Sequence, residues 1–294
     1  MAGVKGMNRR TNAEVEAVRE AARQELADGH PMTLRQVHYR LVSRDDVVHP
    51  NTNSAYGKLG DWLRDDRLSG EVEWEWMEDR LRVPHHIGMW DGLGDYFEAI
   101  RRAYRRQVWD AQPCYVEVWC EKDALSGIFA AEIERYRVTL NIGRGYDGWS
   151  SIKKAADRYR YWQDEHGLQT TVLYFGDFDP SGEDMHRSLQ ERFAKLGVYP
   201  DMPKVALTHA DTRRLPFNFV KIDDSRAPAF IDKYGDLAVE LDALPVEELR
   251  ERIRSGIVAL MDVPALQRAL DTEYEETVRF NEALDAVLAK QGDE

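Results

Sequence analysis

Three short segments hold the residue types that could do chemistry. In the first, the apolar run Thr171-Val-Leu-Tyr-Phe175 ends in Gly176-Asp177-Phe178-Asp179-Pro180-Ser181-Gly182. Two aspartates spaced by one residue at a strand's carboxyl end can point to the same side. Together they suit a hard divalent cation that prefers carboxylate oxygens. In open α/β sheets, ligands also bind outside the carboxyl ends of the strands. The same string reads equally as an Asp-Pro-Ser-Gly turn that opens a capped helix. In the second segment, Tyr115-Val-Glu-Val-Trp-Cys-Glu-Lys-Asp-Ala-Leu125, an apolar strand ends in Glu121-Lys122. If the two strands are neighbours, Glu121 shares an edge with the aspartates. There it can serve as general acid or base, or complete a metal site. Asp123 reads as a first-turn helix acid favoured by the macrodipole, and Glu117, inside the strand, as a paired structural carboxylate. The third segment, Thr33-Leu-Arg-Gln-Val-His-Tyr-Arg-Leu-Val42, places Arg35 and Tyr39 four apart on one helical face. A tyrosine hydroxyl, with a pKa of roughly 10, needs a nearby cation or base before it can attack a phosphodiester, and Arg35 supplies such a field. Val37 and Leu41 share the opposite face, so Tyr39 is expected partly exposed. His38 between them either relays a proton or simply hydrogen-bonds. Alone, a helical tyrosine is an ordinary aromatic; its company gives it meaning.

The elements that must position these residues fall into two patterns. Val15, Val18, Ala21, Ala22 and Leu26 recur at helical spacing over 12–28, and Gly29-His30-Pro31 ends that helix. Thr33 is the expected N-cap of a second helix, Leu34 to Ser43. A turn around His49-Pro50-Asn51-Thr52 precedes a third helix bearing Tyr56, Leu59, Trp62 and Leu63, which stops at Ser69-Gly70. Val72, Trp74 and Trp76 then alternate with glutamates, a strand signal. Three short helices and a β-ribbon outline a winged helix, whose third helix enters the major groove, although a generic three-helix cluster capped by a hairpin gives the same pattern. On the first reading, helix 52–68 faces duplex DNA through Lys58, Arg64 and Arg67. Residues 84–113, with Pro84, His85, His86, Gly88, Gly92, Gly94 and Pro113 around a helix near 95–108, read as a connecting stretch. Beyond it, strands (Tyr115–Trp119, Val138–Ile142, Thr171–Phe175, Val205–Thr208) alternate with helices (123–136, 148–165, 181–195, 245–257). That alternation argues a mostly parallel α/β sheet, closed by a long charged C-terminal helix at 264–290. The expected division is 1–88 winged helix, 89–113 linker and 114–294 metal-binding α/β domain.

Composition bounds the function. Of 294 residues, 43% are hydrophobic and 32% charged, enough to bury a core. No apolar run approaches the roughly 18–20 residues of a membrane span, and the N-terminus lacks a signal-peptide core, so a cytoplasmic protein is expected. Cys114 and Cys120 cannot build a disulfide framework or a four-cysteine zinc site. The net charge of −13 argues at face value against nucleic acid. Its distribution softens that: residues 1–70 carry 11 basic against 10 acidic side chains, whereas residues from 236 onward carry 6 against 15. DNA binding would therefore use local basic positions, helped by metal ions held on the acids.

Taken together, the strand–Glu121–Lys122 element and Gly-Asp177-x-Asp179-Pro-x-Gly182 resemble a Toprim domain. The Asp-Pro-x-Gly form, preceded by a helix–turn–helix bearing Arg-x-x-x-Tyr, is similar to the A subunit of topoisomerase VI and its meiotic double-strand-break relatives, over about residues 30–245. Arg144-Gly145-Tyr146 and Glu240-Leu-Asp-Ala-Leu244 also resemble family segments. The resemblance implies that Tyr39 is the nucleophile, leaving a 5′-phosphotyrosyl link. It also implies that Glu121, Asp177 and Asp179 hold Mg²⁺ or Mn²⁺, and that Arg35 and Arg64 or Arg67 touch phosphate, with Arg144 a further candidate for DNA binding. In the family, Tyr39 of one subunit would meet the carboxylates of the other, making a homodimer the unit that breaks double-stranded DNA. Two departures stand out. His38 replaces the first tyrosine of the family's pair, and the chain is short, closer to compact bacterial mobile-element forms. No Walker A signature is visible, so an ATPase subunit is separate or absent. Two other functions remain open: a Toprim nuclease that cuts with metal-activated water, and a non-catalytic winged-helix DNA-binding regulator.

Overall fold

The computed structural model describes residues 11–29, 31–77, 89–143 and 149–291. Helices α1 (Asn12–Gly29), α2 (Leu34–Val42) and α3 (Asn53–Ser69) bury Val18, Leu26, Val37, Leu41, Leu59 and Leu63 against one another. Their boundaries follow local chemistry. Thr33 caps α2 and Gln36 reaches back to the Thr33 N–H, a reciprocal capping box. Thr52 caps α3, and Gly70, at φ 84°, ends it in the left-handed conformation that only glycine adopts without cost. Asp66 of α3 is fully buried and held by Arg19 and Arg23 of α1.

The strand expected over Val72–Trp76 is not formed. Trp74–Trp76 is a 3₁₀ turn, with the Trp76 N–H bonded to the Glu73 carbonyl, and Val72 turns inward onto the helices. The alternation of apolar and acidic residues thus reflects a turn with one packed side. A single parallel bridge joins Met32 to Met77. A partner strand of a ribbon would fall at 78–88, outside the described residues, as do His85 and His86. The helix expected near 95–108 is α4 (Leu93–Ala103). It and the residues after it are tied to the C-terminal helix by Arg101–Asp285, Arg106–Glu276 (2.6 Å) and Tyr104–Glu276 (2.5 Å).

The remaining chain alternates strand and helix: β1 (Tyr115–Cys120), α5 (Ser126–Ile133), β2 (Thr139–Ile142), α6 (Trp149–His166), β3 (Thr170–Phe175), α7 (Pro180–Lys195) and β4 (Lys204–Ala206). The sheet is entirely parallel, in the order β2-β1-β3-β4. Every residue of β1 and β3 is buried, as expected where helices cover both faces. A small antiparallel pair, β5 (Asn218–Phe219) and β6 (Leu237–Ala238), with α8 (Ala227–Tyr234) between them, was not foreseen; two-residue strands carry no periodicity. Then come α9 (Val246–Val258) and α10 (Val263–Gln291). No helix among the described residues is long and apolar enough to cross a membrane.

Glu117 is the structural carboxylate expected. Fully buried in β1, it accepts from Arg158 (2.8 Å), Tyr115 (2.8 Å), Asn141 (2.6 Å) and Tyr159 (3.1 Å). Glu117→Gln keeps the shape and strips the charge, leaving Arg158 without its counter-ion. Because the Arg158 side chain is 37% exposed, the expected loss is about 2 kcal/mol, below that of a fully buried pair. Urea unfolding monitored by circular dichroism checks this, and an unchanged midpoint refutes it.

Candidate active site

Strands β1 and β3 lie in register from Tyr115↔Thr170 to Cys120↔Phe175, so the residues that follow them emerge side by side. The Asp177 N–H donates to Glu121 Oε2 at 3.1 Å. The motif glycines are steric necessities. A Cβ on Gly176 would stand 2.5 Å from Glu121 Oε2, and one on Gly182 would stand 2.3 Å from the Asp177 carbonyl oxygen. Asp179 caps α7 by accepting from the Gly182 N–H at 2.7 Å, so the turn-and-cap reading of this string is correct for that residue. Asp177 Oδ1 accepts from the Leu241 N–H at 2.6 Å and faces Lys122 Nζ at 3.1 Å. Backbone bonds in both directions between Phe178 and Val239 (2.9 Å) fasten the loop to the segment after β6.

Lys122 is the hub of these contacts. Its ammonium reaches Asp242 (2.8 Å), Asp177 (3.1 Å) and Glu240 (3.2 Å). Burial alone would lower it, but the three carboxylates prevail and hold it above its usual range. Glu121 is pushed up to about 8, first by burial and then by the charge of Asp177. Burial likewise raises Asp177 to about 6, against the pull of Lys122.

The structure brings Glu121 and Asp177 into contact, while Asp179 spends one oxygen on its helix cap. Among the described residues no three His, Cys, Asp or Glu side chains converge as a ready-made metal cage. The donor chemistry nevertheless fits a hard cation. Glu121 Oε1, Asp177 Oδ2 and Asp179 Oδ2 take none of the hydrogen bonds described above, and the repulsion from Asp177 that adds to burial in raising Glu121 is what a divalent ion would relieve.

Tyr39 corrects an expectation. It is 4% exposed, not partly open to solvent. Helix α2 is enclosed on both sides: Val37 and Leu41 pack into the helical core, and the opposite face lies against the turn Leu241–Ala243. Burial, then the charge and hydrogen bond of Glu240, push the phenol above its ordinary value. His38 does not serve Tyr39. Its ring nitrogens are engaged by His49 (2.8 Å) and Asn51 (3.3 Å), and burial lowers its pKa. Arg35 forms an ion pair with Glu240 and lies over the Tyr56 ring at 5.6 Å. Arg35, Tyr39, Asp179 and Glu240 line one cavity of about 650 Å³, with Asn51, Tyr56 and Lys221. Within one chain, Tyr39 and Asp179 of the acidic loop thus share a cavity.

The basic residues do not form one stripe. Lys58 is exposed, and nine residues separate it from Arg67, which puts the two on opposite sides of α3. Arg64 is paired with Asp61 (3.0 Å) and Asp65 (2.9 Å). Arg64 and Arg67 line a second cleft, of about 580 Å³, with Arg35, Lys122 and Asp242. Arg144 lies outside the described residues. Lys122 and Asp242 as central groups went unassigned, although their spacing from Glu121 and Glu240 was the available signal.

Because the folded protein holds the Glu121 proton to about 8 whereas an unfolded glutamate loses it near 4.5, the native state binds the extra proton between those values. Its contribution to stability therefore falls as pH rises from about 5 to 8. Thermal melting in chelator should show a steeper decline over that range for the parent than for Glu121→Gln, and Mg²⁺ at pH 8 should restore part of the loss. Parallel pH profiles for the two proteins contradict the assignment.

No family model matches the chain, and no curated protein matches it; its chemistry has to be read from these side chains.

Proposed function

We propose that the protein is a metal-dependent DNA transesterase similar to the A subunit of topoisomerase VI, with a Toprim α/β domain, a helical DNA-binding unit of winged-helix type and Tyr39 as nucleophile. The observation that carries this reading is the convergence of Tyr39, Arg35 and Asp179 on one cavity beside the Glu121–Asp177 pair. A phenol, a guanidinium and a carboxylate cluster are the parts that phosphodiester transesterification requires.

Glu121, Asp177 and Asp179 would hold Mg²⁺ or Mn²⁺, which supplies charge neutralisation at the phosphate and steadies the leaving 3′-oxygen. The chain's own groups do the rest. Arg35 draws a phosphate oxygen and stabilises charge on the phenol oxygen. The Tyr39 oxygen bonds to phosphorus as the bond from phosphorus to the 3′-oxygen breaks; the phenol proton passes to solvent in the cavity, and the departing 3′-oxygen takes a proton from solvent. Arg64 and Arg67, in the neighbouring cleft, would position backbone without reading sequence. Two copies, each cutting one strand, would make a double-strand break; a homodimer, a separate ATPase subunit and a cytoplasmic location with the DNA belong to the same reading.

One observation favours a second reading. Tyr39 is buried and its phenol is raised, which suits a nuclease in which metal-activated water cuts and Tyr39 is a packed aromatic. A covalent adduct separates the two, since hydrolysis leaves none. Supercoiled plasmid incubated with the protein and Mg²⁺ or Mn²⁺ should yield DNA whose mobility changes after protease, and Tyr39→Phe should fold normally while losing cleavage and adduct together. Cutting by the Phe variant at the parent rate would establish water as nucleophile. Retained cutting by the Glu121→Gln, Asp177→Asn double variant would remove the acidic loop from the reaction. DNA binding should also weaken with salt at a slope of about −0.9 per phosphate contacted; binding that ignores salt argues against backbone recognition.

A further inference from the structure

Glu240 stands where the groups nearest the proposed reaction converge. Its Oε2 is ion-paired with Arg35 and lies 3.2 Å from Lys122 Nζ. The Tyr39 phenol feels the charge of the same carboxylate, and all but Lys122 line the 650 Å³ cavity. A guanidinium, an ammonium and a hydroxyl arranged about one anionic group also describe a phosphate-binding site.

Two plainer roles for Glu240 fit less well. As a base for Tyr39 it is poorly matched: burial notwithstanding, Lys122 and Arg35 hold Glu240 below its usual range, while the phenol is held above its own. As a brace it has company: Lys122 also pairs with Asp177 and Asp242, and Arg35 also lies over the Tyr56 ring. The backbone around it is pinned, Val239 to Phe178 and Leu241 to Asp177. The side chain is 26% exposed and lines the cavity.

We infer that the Glu240 carboxylate occupies a phosphate site formed by Arg35, Lys122 and Tyr39, and that a nucleic-acid phosphodiester enters by displacing it. The inference rests on the reading of this cavity as a nucleic-acid site. Exchange of one anion for another keeps Arg35 and Lys122 neutralised throughout, and it brings phosphorus to the Tyr39 oxygen only when substrate has won the competition. The resting chain thereby keeps its nucleophile covered.

Inorganic phosphate is the first probe. In protein labelled with ¹³C at the tyrosine ζ position, the Tyr39 signal is identified by its loss in Tyr39→Phe. Phosphate should move that signal in Glu240→Gln and in Glu240→Ala at concentrations about tenfold lower than in the parent. A short DNA duplex, followed by anisotropy, distinguishes nucleic acid from free phosphate as the occupant: the variants should bind it more tightly, with a salt slope steeper by about 0.9, one added phosphate contact. Equal phosphate response in parent and variants overturns the proposal, as does unfolding of both variants, which would make Glu240 a brace. Cleavage is scored separately. Phosphate entry without any protein–DNA adduct removes the transesterase reading and leaves the phosphate site, whereas adduct formation with no gain in phosphate entry removes the Glu240 proposal alone.

Discussion

One buried ammonium organises the site. Lys122, at the end of β1, is met by Asp177 from the end of β3 and by Glu240 and Asp242 from the segment after β6. An isolated charge at that depth would be costly, so the three carboxylates and the lysine oblige one another to stay. The consequence reaches further than the sheet. Glu240, held by Lys122, reaches Arg35 of α2 at a sequence separation of 205 residues, and α2 rests on the turn that carries Asp242. The helical unit and the parallel sheet are thus joined through a charge network at the place where chemistry is proposed.

The same network sets up a tension that any reaction must resolve. Burial, aided by neighbouring carboxylates, raises Glu121, Asp177 and the Tyr39 phenol. Each of these shifts suppresses an ionised form that phosphoryl transfer would use. A site poised this way is quiet until an external group changes its charge balance: a cation on the acidic loop, or a phosphate in place of Glu240. On the proposed reading, that logic also fits the acidic chain as a whole, which would draw DNA by local exchange of partners rather than by a broad basic surface.

Much of this was legible in the sequence because it is local. The capping box at Thr33, the ends of β1 and β3, the helix after Asp179 and the paired Glu117 all follow from short-range pattern, and two parallel strands ending together bring Glu121 to Asp177. The errors share a different origin. Tyr39 was expected exposed because a helix with one apolar face should have one wet face; α2 has a second partner, the turn at 241–243, which no local pattern announces. Val72–Trp76 alternated like a strand yet packs as a turn. Residues β5 and β6 contribute are too few for any period, and Lys122 becomes central only when three distant carboxylates are folded around it.

The central claim is that the Tyr39 oxygen becomes bonded to DNA. Trypsin cuts after Arg35 and Arg40, releasing the peptide Gln36-Val37-His38-Tyr39-Arg40, in which Tyr39 is the one tyrosine. Protein trapped on DNA with Mg²⁺ or Mn²⁺, stripped to its last nucleotide by nuclease and digested with trypsin, should give this peptide carrying the added mass of a nucleotide. Finding that mass on another tyrosine, or finding cut DNA with this peptide unmodified, contradicts the account.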